Sequence, residues 1–290
     1  RYRDSPEDYL SDVLAAAVFK GCTLSRPILG KKSTLERMTG KTLLEYKQAR
    51  YGPERVVVAL AGSYPASEID ALCQLFSSIP PSREDAFTPA KYTPAVVARK
   101  KPFEQNHFKL AFPGVRAADP DRFAMQLLSD ILGGGMSSRL FQTVREERGL
   151  CYSIYSYGSS YIDTGLLCVY TATNRETEDQ ALALIVEEIK KIKSDGVTQE
   201  ELTRARELVK ANVLMGLEST GSRMNRLGRN ELYFGRVPDP DEIIAEYDAV
   251  TPEHIFNLAR RTFDFASASF CAVGRTESAE SYGARLRELA

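Results

Sequence analysis

At 290 residues the chain exceeds the ~100–200 of a single typical domain, and its 43% apolar and 27% charged residues are enough to build a sizeable core. The 38 basic and 39 acidic residues leave a net charge of −1 with no long run of one sign, which excludes the basic face of a nucleic-acid binder. No apolar stretch approaches the ~20 residues that span a bilayer, so no membrane partner is expected.

Ser5-Pro6-Glu7-Asp8 is a helix start, with a hydroxyl cap, Pro in the first turn and early acids. Tyr9, Leu10, Val13, Leu14 and Ala17 follow at helical spacing until Gly21 stops the helix. Thr42 to Tyr51 reads as a second helix, and Arg55 to Ala61 (RVVVALA) as a short buried strand closed by Gly62. Ser67 is expected to cap a third helix with Ile69, Leu72, Cys73 and Phe76 on one face. Residues 80–98 hold four prolines and few helix signals, which predicts an extended interdomain linker.

Beyond it, His107 to Phe112 reads as a strand, and Asp119-Pro120 opens a helix carrying Phe123, Leu127, Leu128 and Ile131. Gly133-Gly134-Gly135 breaks that helix. No Lys follows at phosphate-loop spacing, so a helix stop with a tight connection is the preferred reading. Ser137 to Glu147 is expected as a short helix, and Leu150–Tyr157 with Gly165–Thr173 as an antiparallel strand pair. Leu182, Ile185, Val186, Ile189 and Ile192 form a helical stripe, and Thr198-Gln-Glu-Glu201 is a capping box opening a long helix. Helices at 241–249 and 252–261 and a strand at 266–273 complete the pattern.

One internal echo bears on domain organisation. Thr39–Gly62 and Thr251–Gly274 share a layout at a constant offset: Leu43 matches Ile255, Tyr51 matches Phe263, and Val56–Ala61 matches Ala268–Val273. Duplication would make two domains of one fold. Residues 1–79 would then be the back half of the first domain, 80–98 the linker, and 99–290 a complete second domain. The chain opens on Arg1 rather than Met, which fits the expectation that a front half lies upstream.

Five cysteines, Cys22, Cys73, Cys151, Cys168 and Cys271, are scattered with no Cys-x-x-Cys. Free thiols in a reducing compartment, and hence a cytoplasmic location, are expected. The two histidines, His107 and His254, stand apart, each without a second His nearby. The stretch 131–173 is the richest in candidate chemistry. Arg145, on the expected short helix, and Tyr152, on the following strand, flank the turn at Gly149. A guanidinium and a phenol aimed at one spot suit a carbonyl that becomes an oxyanion. Spacing alone favours the ordinary alternative of a solvated Arg and a packed Tyr.

The run Leu132-Gly-Gly-Gly-Met-Ser-Ser-Arg-Leu-Phe-Gln-x-Val-Arg-Glu-x-Arg-Gly-Leu-x-Tyr-Ser153 closely resembles the second-domain signature of the pitrilysin/insulinase peptidases, which include the mitochondrial processing peptidases. Asp4-Ser5-Pro6, Arg26-Pro27-Ile28-Leu29-Gly30 and Tyr51–Gly62 resemble further parts of the same family. The resemblance implies an α+β fold of the LuxS/processing-peptidase type: two homologous domains with antiparallel sheets packed by helices, the first incomplete here. It implies a zinc metalloendopeptidase acting on extended peptides, with the zinc held by an inverted H-x-x-E-H motif and a distant Glu. None of these ligands is legible here, so zinc is expected on residues upstream of this chain, and the fragment alone is expected to be inactive. Arg145 and Tyr152 match the family's Arg and Tyr that bind the substrate carbonyl and stabilise the tetrahedral intermediate. Expected partners are a peptide substrate and either the missing amino-terminal half or a zinc-bearing subunit, in a homo- or heterodimer. A non-catalytic partner subunit and a peptide-binding scaffold are the alternatives.

Overall fold

The computed structural model describes residues 5–83 and 87–290, so Asp4 and part of the expected linker lie outside the described residues. In chain order the elements begin with helices α1 (Pro6–Val18), α2 (Lys32–Leu35), α3 (Gly40–Arg50) and α4 (Ala66–Ser77). Strands β1 (Val96–Lys100) and β2 (Asn106–Pro113) precede helix α5 (Arg122–Gly133), a six-residue π-helical turn at Phe141–Glu146, and strands β3 (Cys151–Ser160) and β4 (Gly165–Thr173). Helices α6 (Glu178–Asp195), α7 (Gln199–Gly216), α8 (Thr220–Phe234), α9 (Pro240–Asp248) and α10 (Pro252–Thr262) lead to β5 (Ser269–Gly274) and α11 (Ala279–Leu289).

The fold is α+β. Five strands form one mixed sheet in the order β1-β5-β2-β4-β3. The β1–β5 pair is parallel and the other three pairings are antiparallel. Alternation along the strands gives the sheet two apolar faces. Ala111, Cys168, Tyr170, Ala172, Cys271 and Val273 join Leu10, Leu14 and Val18 of α1 in one core. On the other face Phe108 stacks with Phe270 at 5.2 Å, Phe270 with Tyr282 of α11 at 4.8 Å, and Phe112 with Phe263 at 5.2 Å. The α1 face also buries a lysine. Lys109 Nζ donates to Ser11 Oγ at 2.6 Å and lies over the rings of Tyr157 and Tyr170, while burial lowers its pKa.

By contacts the chain divides into two compact units. The first comprises residues 1–27, 89–209 and 245–290 and holds the whole sheet. The second comprises 28–88 and 210–244, with α2, α3, α4 and α8. This division interleaves the chain, unlike the linear partition at 1–79, 80–98 and 99–290. The two boundaries in the carboxy-terminal half fall inside α7 and α9.

Several local expectations need correcting. Residues 96–98, assigned to the linker, start β1, because their β-branched run pairs with Phe270, Cys271 and Ala272 of β5. Ser67 is not the cap of α4: Pro65 holds that position and Ser67 lies in the first turn. Helices α8 and α11 were not anticipated. Among the described residues the expected strand Arg55–Ala61 pairs with no other strand. An apolar β-branched run is compatible with a strand, but only a partner's ladder makes one.

The echo around that segment is nevertheless structural. Both copies begin with a Thr whose hydroxyl accepts a backbone N–H three residues on, Thr39 from Thr42 and Thr251 from His254. Each then has an 11-residue helix, α3 or α10, capped at its end by Tyr51 or Phe263 in similar backbone conformations. A 3₁₀ turn follows, Pro53–Arg55 or Phe265–Ser267, and each copy closes on a glycine with positive φ, Gly62 at 129° and Gly274 at 142°.

The triple glycine has a packing role. A Cβ on Gly133 would lie 2.6 Å from the Ser156 backbone nitrogen of β3, and one on Gly134 2.5 Å from Asp130 Cα, whereas one on Gly135 would meet nothing within 4 Å. Gly133→Ala is therefore expected to destabilise by about 1–3 kcal/mol and Gly135→Ala to be nearly neutral in thermal or denaturant melts. Equal losses at the two positions would count against this packing account.

Candidate functional site

The two residues singled out in the sequence meet at the amino-terminal end of β3. Arg145 lies in the π-helical turn, whose wide i→i+5 pattern includes Glu147 N–H donating to Gln142 O at 2.9 Å. Such turns are rare and often occur at functional positions. The turn ends in two backbone bonds, Gly149 N–H to Arg145 O and Leu150 N–H to Val144 O, both 3.0 Å. Gly149 at φ 62° reverses the chain in a conformation that favours glycine.

β3 then starts with a second irregularity. Cys151 pairs with Thr173 and Ser153 with Ala172, so Tyr152 is the extra residue of a β-bulge. A bulge re-aims the side chain it carries. Thr171 Oγ1 donates to Ser153 O at 2.9 Å and Thr177 Oγ1 to Leu150 O at 3.0 Å, which pins both ends of the bulge.

The result is a stacked arrangement. The Arg145 guanidinium carbon lies 4.5 Å from the Phe141 ring centroid and 5.2 Å from that of Tyr152. Stacking on aromatic faces holds a guanidinium in orientation while leaving its in-plane N–H groups free to bind an acceptor. Its one ionic neighbour among the described residues is Glu146, at 3.9 Å and half-exposed, too loose to neutralise it. Tyr152 is 79% exposed. Among the described residues Tyr152 is therefore not packed in the core. Phe141, the ring beneath the guanidinium, was missed in the sequence. Its position four residues before Arg145 is the signal that points to it.

A small cavity of about 150 Å³ beside the triple glycine is lined by Asp130, Gly135, Ser137, Ser138 and Glu201. Burial pushes the Asp130 carboxyl up to about 6, opposed by the hydrogen bonds from Gln126. Opposite it, Arg139 forms a bidentate pair with Glu201 at 2.7 and 2.9 Å, and Glu201 completes the expected capping box by accepting from Thr198 N–H at 2.8 Å.

The sequence pattern of the Peptidase M16 inactive domain matches residues 37–209. The chain belongs to the peptidase M16 family. It is 38% identical over 280 residues to the uncharacterized zinc protease YmxG of Bacillus subtilis, covering 96% of this chain and 68% of that protein. It is 34% identical over 269 residues to an uncharacterized zinc protease of Streptomyces coelicolor, covering 89% and 58%. The chain thus spans only part of these relatives. Among solved structures it matches an M16 inactive domain from Pseudomonas fluorescens with a TM-score of 0.85 at 23% identity, covering 96% of this chain and 67% of that one. It also matches a chain of complex III2 from Candida albicans with a TM-score of 0.86 at 16% identity, covering 100% and 72%. At these identities both show the fold alone. The resemblance to pitrilysin/insulinase-type peptidases holds.

The names of these M16 relatives carry zinc, and the described residues do not fit it. His107 Nδ1 shares a hydrogen bond with the Tyr170 hydroxyl at 2.8 Å, and burial lowers its pKa. His254 Nε2 pairs with Asp121 at 2.7 Å. Among the described residues no group of three His, Cys, Asp or Glu side chains is placed to hold a metal ion. No described helix is long and apolar enough to cross a membrane.

The Asp130 shift gives this M16 chain a pH dependence. Folded Asp130 keeps its proton to about pH 6, whereas an unfolded Asp releases it near 4. Between those values the folded state holds more protons, so this group's contribution to stability falls as pH rises through the window. Asp130→Asn is expected to stabilise by about 1–2 kcal/mol at pH 7 and by almost nothing at pH 4. Urea unfolding at the two pH values checks this, and a pH-independent effect would contradict it.

Proposed function

We propose that this chain is the part of an M16 zinc metalloendopeptidase that presents Arg145 and Tyr152 to the carbonyl of an extended peptide. The observation that carries this reading is the meeting of the two side chains where a π-helical turn and a β-bulge adjoin. A fixed guanidinium and a solvent-facing phenol are the donors a developing oxyanion needs, and such donors act most strongly where they are already oriented. β3 is the last strand of the sheet order, so its outer edge is available for an extended peptide to add as a further strand leading toward Tyr152.

In this reading the zinc is bound outside the chain, by an upstream segment or a partner subunit, and the chain alone does not hydrolyse peptides. The names of the bacterial relatives support a peptidase. The description of the matched family as an inactive domain fits a domain that assists chemistry located elsewhere.

The test uses the full-length protein or its complex. Tyr152→Phe removes one hydroxyl, and Arg145→Ala removes the charge from a position that is 34% exposed. Each is expected to lower kcat by roughly 10- to 10³-fold while the melting temperature and zinc content stay at wild-type values. If kcat stays unchanged in both variants, or falls only in step with stability, neither group stabilises the transition state.

A further inference from the structure

At the end of the sheet where β3 begins there is a second feature with concentrated charge. A cavity of about 520 Å³ is lined by Lys100, Lys101, Pro102, Arg175, Gly274, Arg275 and Thr276. Four of the seven residues are cationic and none is acidic. Lys100, Arg175 and Arg275 are exposed and Lys101 is half-buried, its backbone N–H donating to Gly274 O at 2.8 Å. Thr276 is buried, and its hydroxyl has no hydrogen-bond partner among the described residues. A buried hydroxyl left in this state has lost its water without gaining a partner, and a bound acceptor would satisfy it.

Glu104 and Glu176, close in sequence to Pro102 and Arg175, are exposed, whereas three further acids around the basin are engaged. Glu277 pairs with Arg285 at 3.1 Å and takes the Ser281 hydroxyl, and Asp179 also pairs with Arg285. Glu178 lies behind the basin, accepting from Asn106 and from Tyr282, both at 2.6 Å. Among the described residues Lys100, Lys101, Arg175 and Arg275 form no ion pair; Lys101 Nζ lies over the Tyr9 ring at 5.2 Å, and Arg175 and Glu277 feel each other's field. Four like charges around one opening repel each other, and an anion relieves that repulsion.

The strand register relates the basin to Arg145 and Tyr152. Lys100 pairs with Gly274, Asn106 with Thr173, and Thr173 with Cys151. These residues form one row across the end of the sheet. The basin occupies its β1–β5 side and Tyr152 its β3 side. From β5 to β3 is three strand spacings, about 14 Å, which an extended peptide covers in about four residues. The cavity is open, so it suits a chain passing through it better than an enclosed small molecule.

We propose that the basin formed by Lys100, Lys101, Arg175, Arg275 and Thr276 is a subsite for acidic side chains of the peptide substrate, about four residues from the bond at Arg145 and Tyr152. This rests on the peptidase reading above, and its test separates the two. The full-length protein is assayed with paired peptides that differ only in Glu or Gln at positions three to five from the scissile bond, on either side. The Glu peptides are expected to show about tenfold lower KM with similar kcat. Arg175→Gln with Arg275→Gln is expected to erase that difference while leaving the kinetics of the Gln peptide unchanged, and inorganic triphosphate should raise KM for the Glu peptide alone. Equal KM for the two peptides, or a preference that survives in the double variant, overturns the subsite. Tight triphosphate binding without any peptide preference overturns the peptide occupant in favour of a phosphate ligand. Absence of cleavage of every peptide counts against the peptidase reading instead. Fluorescence anisotropy of a labelled Glu peptide then decides the subsite, and equal affinity in wild type and double variant overturns it.

Discussion

A buried strand must have its backbone N–H and C=O groups paired, and β5 is where this structure meets that demand. Its six residues are all buried, with β1 on one edge and β2 on the other. Everything else in the sheet follows outward from it: β2 recruits β4, and β4 recruits β3. The matching segment Val56–Ala61 shows what the same local sequence does without such partners. Its preceding helix, turn and closing glycine reproduce those around β5, yet among the described residues it joins no ladder. Local sequence sets the helix, the cap and the turn. Whether the apolar run becomes a strand is decided by what lies beside it.

The same ladder explains why the candidate site lies at β3. Among the described residues β3 has a partner on one side only, so an extra residue can be inserted at its start without breaking two ladders. The bulge at Tyr152 uses that freedom, and the π-helical turn before it supplies the matching irregularity in the incoming chain. An inner strand such as β4, buried along its whole length, has no such latitude.

Much of the second half of the chain was legible because its periodicities are long and unmixed. The stripe from Leu182 to Ile192 and the Thr198–Glu201 capping box became α6 and the start of α7, as read. The strand pair around Gly165 formed with its expected antiparallel sense. β1 was hidden because Val96-Val97-Ala98 follows a proline-rich stretch, and its partner lies more than 170 residues away, a relation no local pattern carries. α8 was hidden because Gly221 and Gly228 dilute its helical signal. At the candidate site, Arg145 and Tyr152 were singled out through family resemblance, but the stacking of Arg145 on Phe141 was not anticipated. The i,i+4 spacing of Phe141 and Arg145 hinted at the contact, whereas the π-turn that carries both residues has no signature in a 3.6-residue period.

The energetics of the pair argue that the fold does not need it. Tyr152, at 79% exposure, buries little apolar area, and the loose contact of Arg145 with Glu146 contributes almost nothing at that distance and exposure. Holding a guanidinium in one orientation nevertheless costs side-chain entropy, up to about 2 kcal/mol for a fully ordered Arg. Stacking between two rings offsets part of that cost before any ligand arrives. A group ordered in advance gives up less freedom when it binds, so its hydrogen bonds to a developing charge count more fully toward the transition state. The irregular turn, the bulge and the stack thus place a cation and a phenol at a position where core packing does not require them.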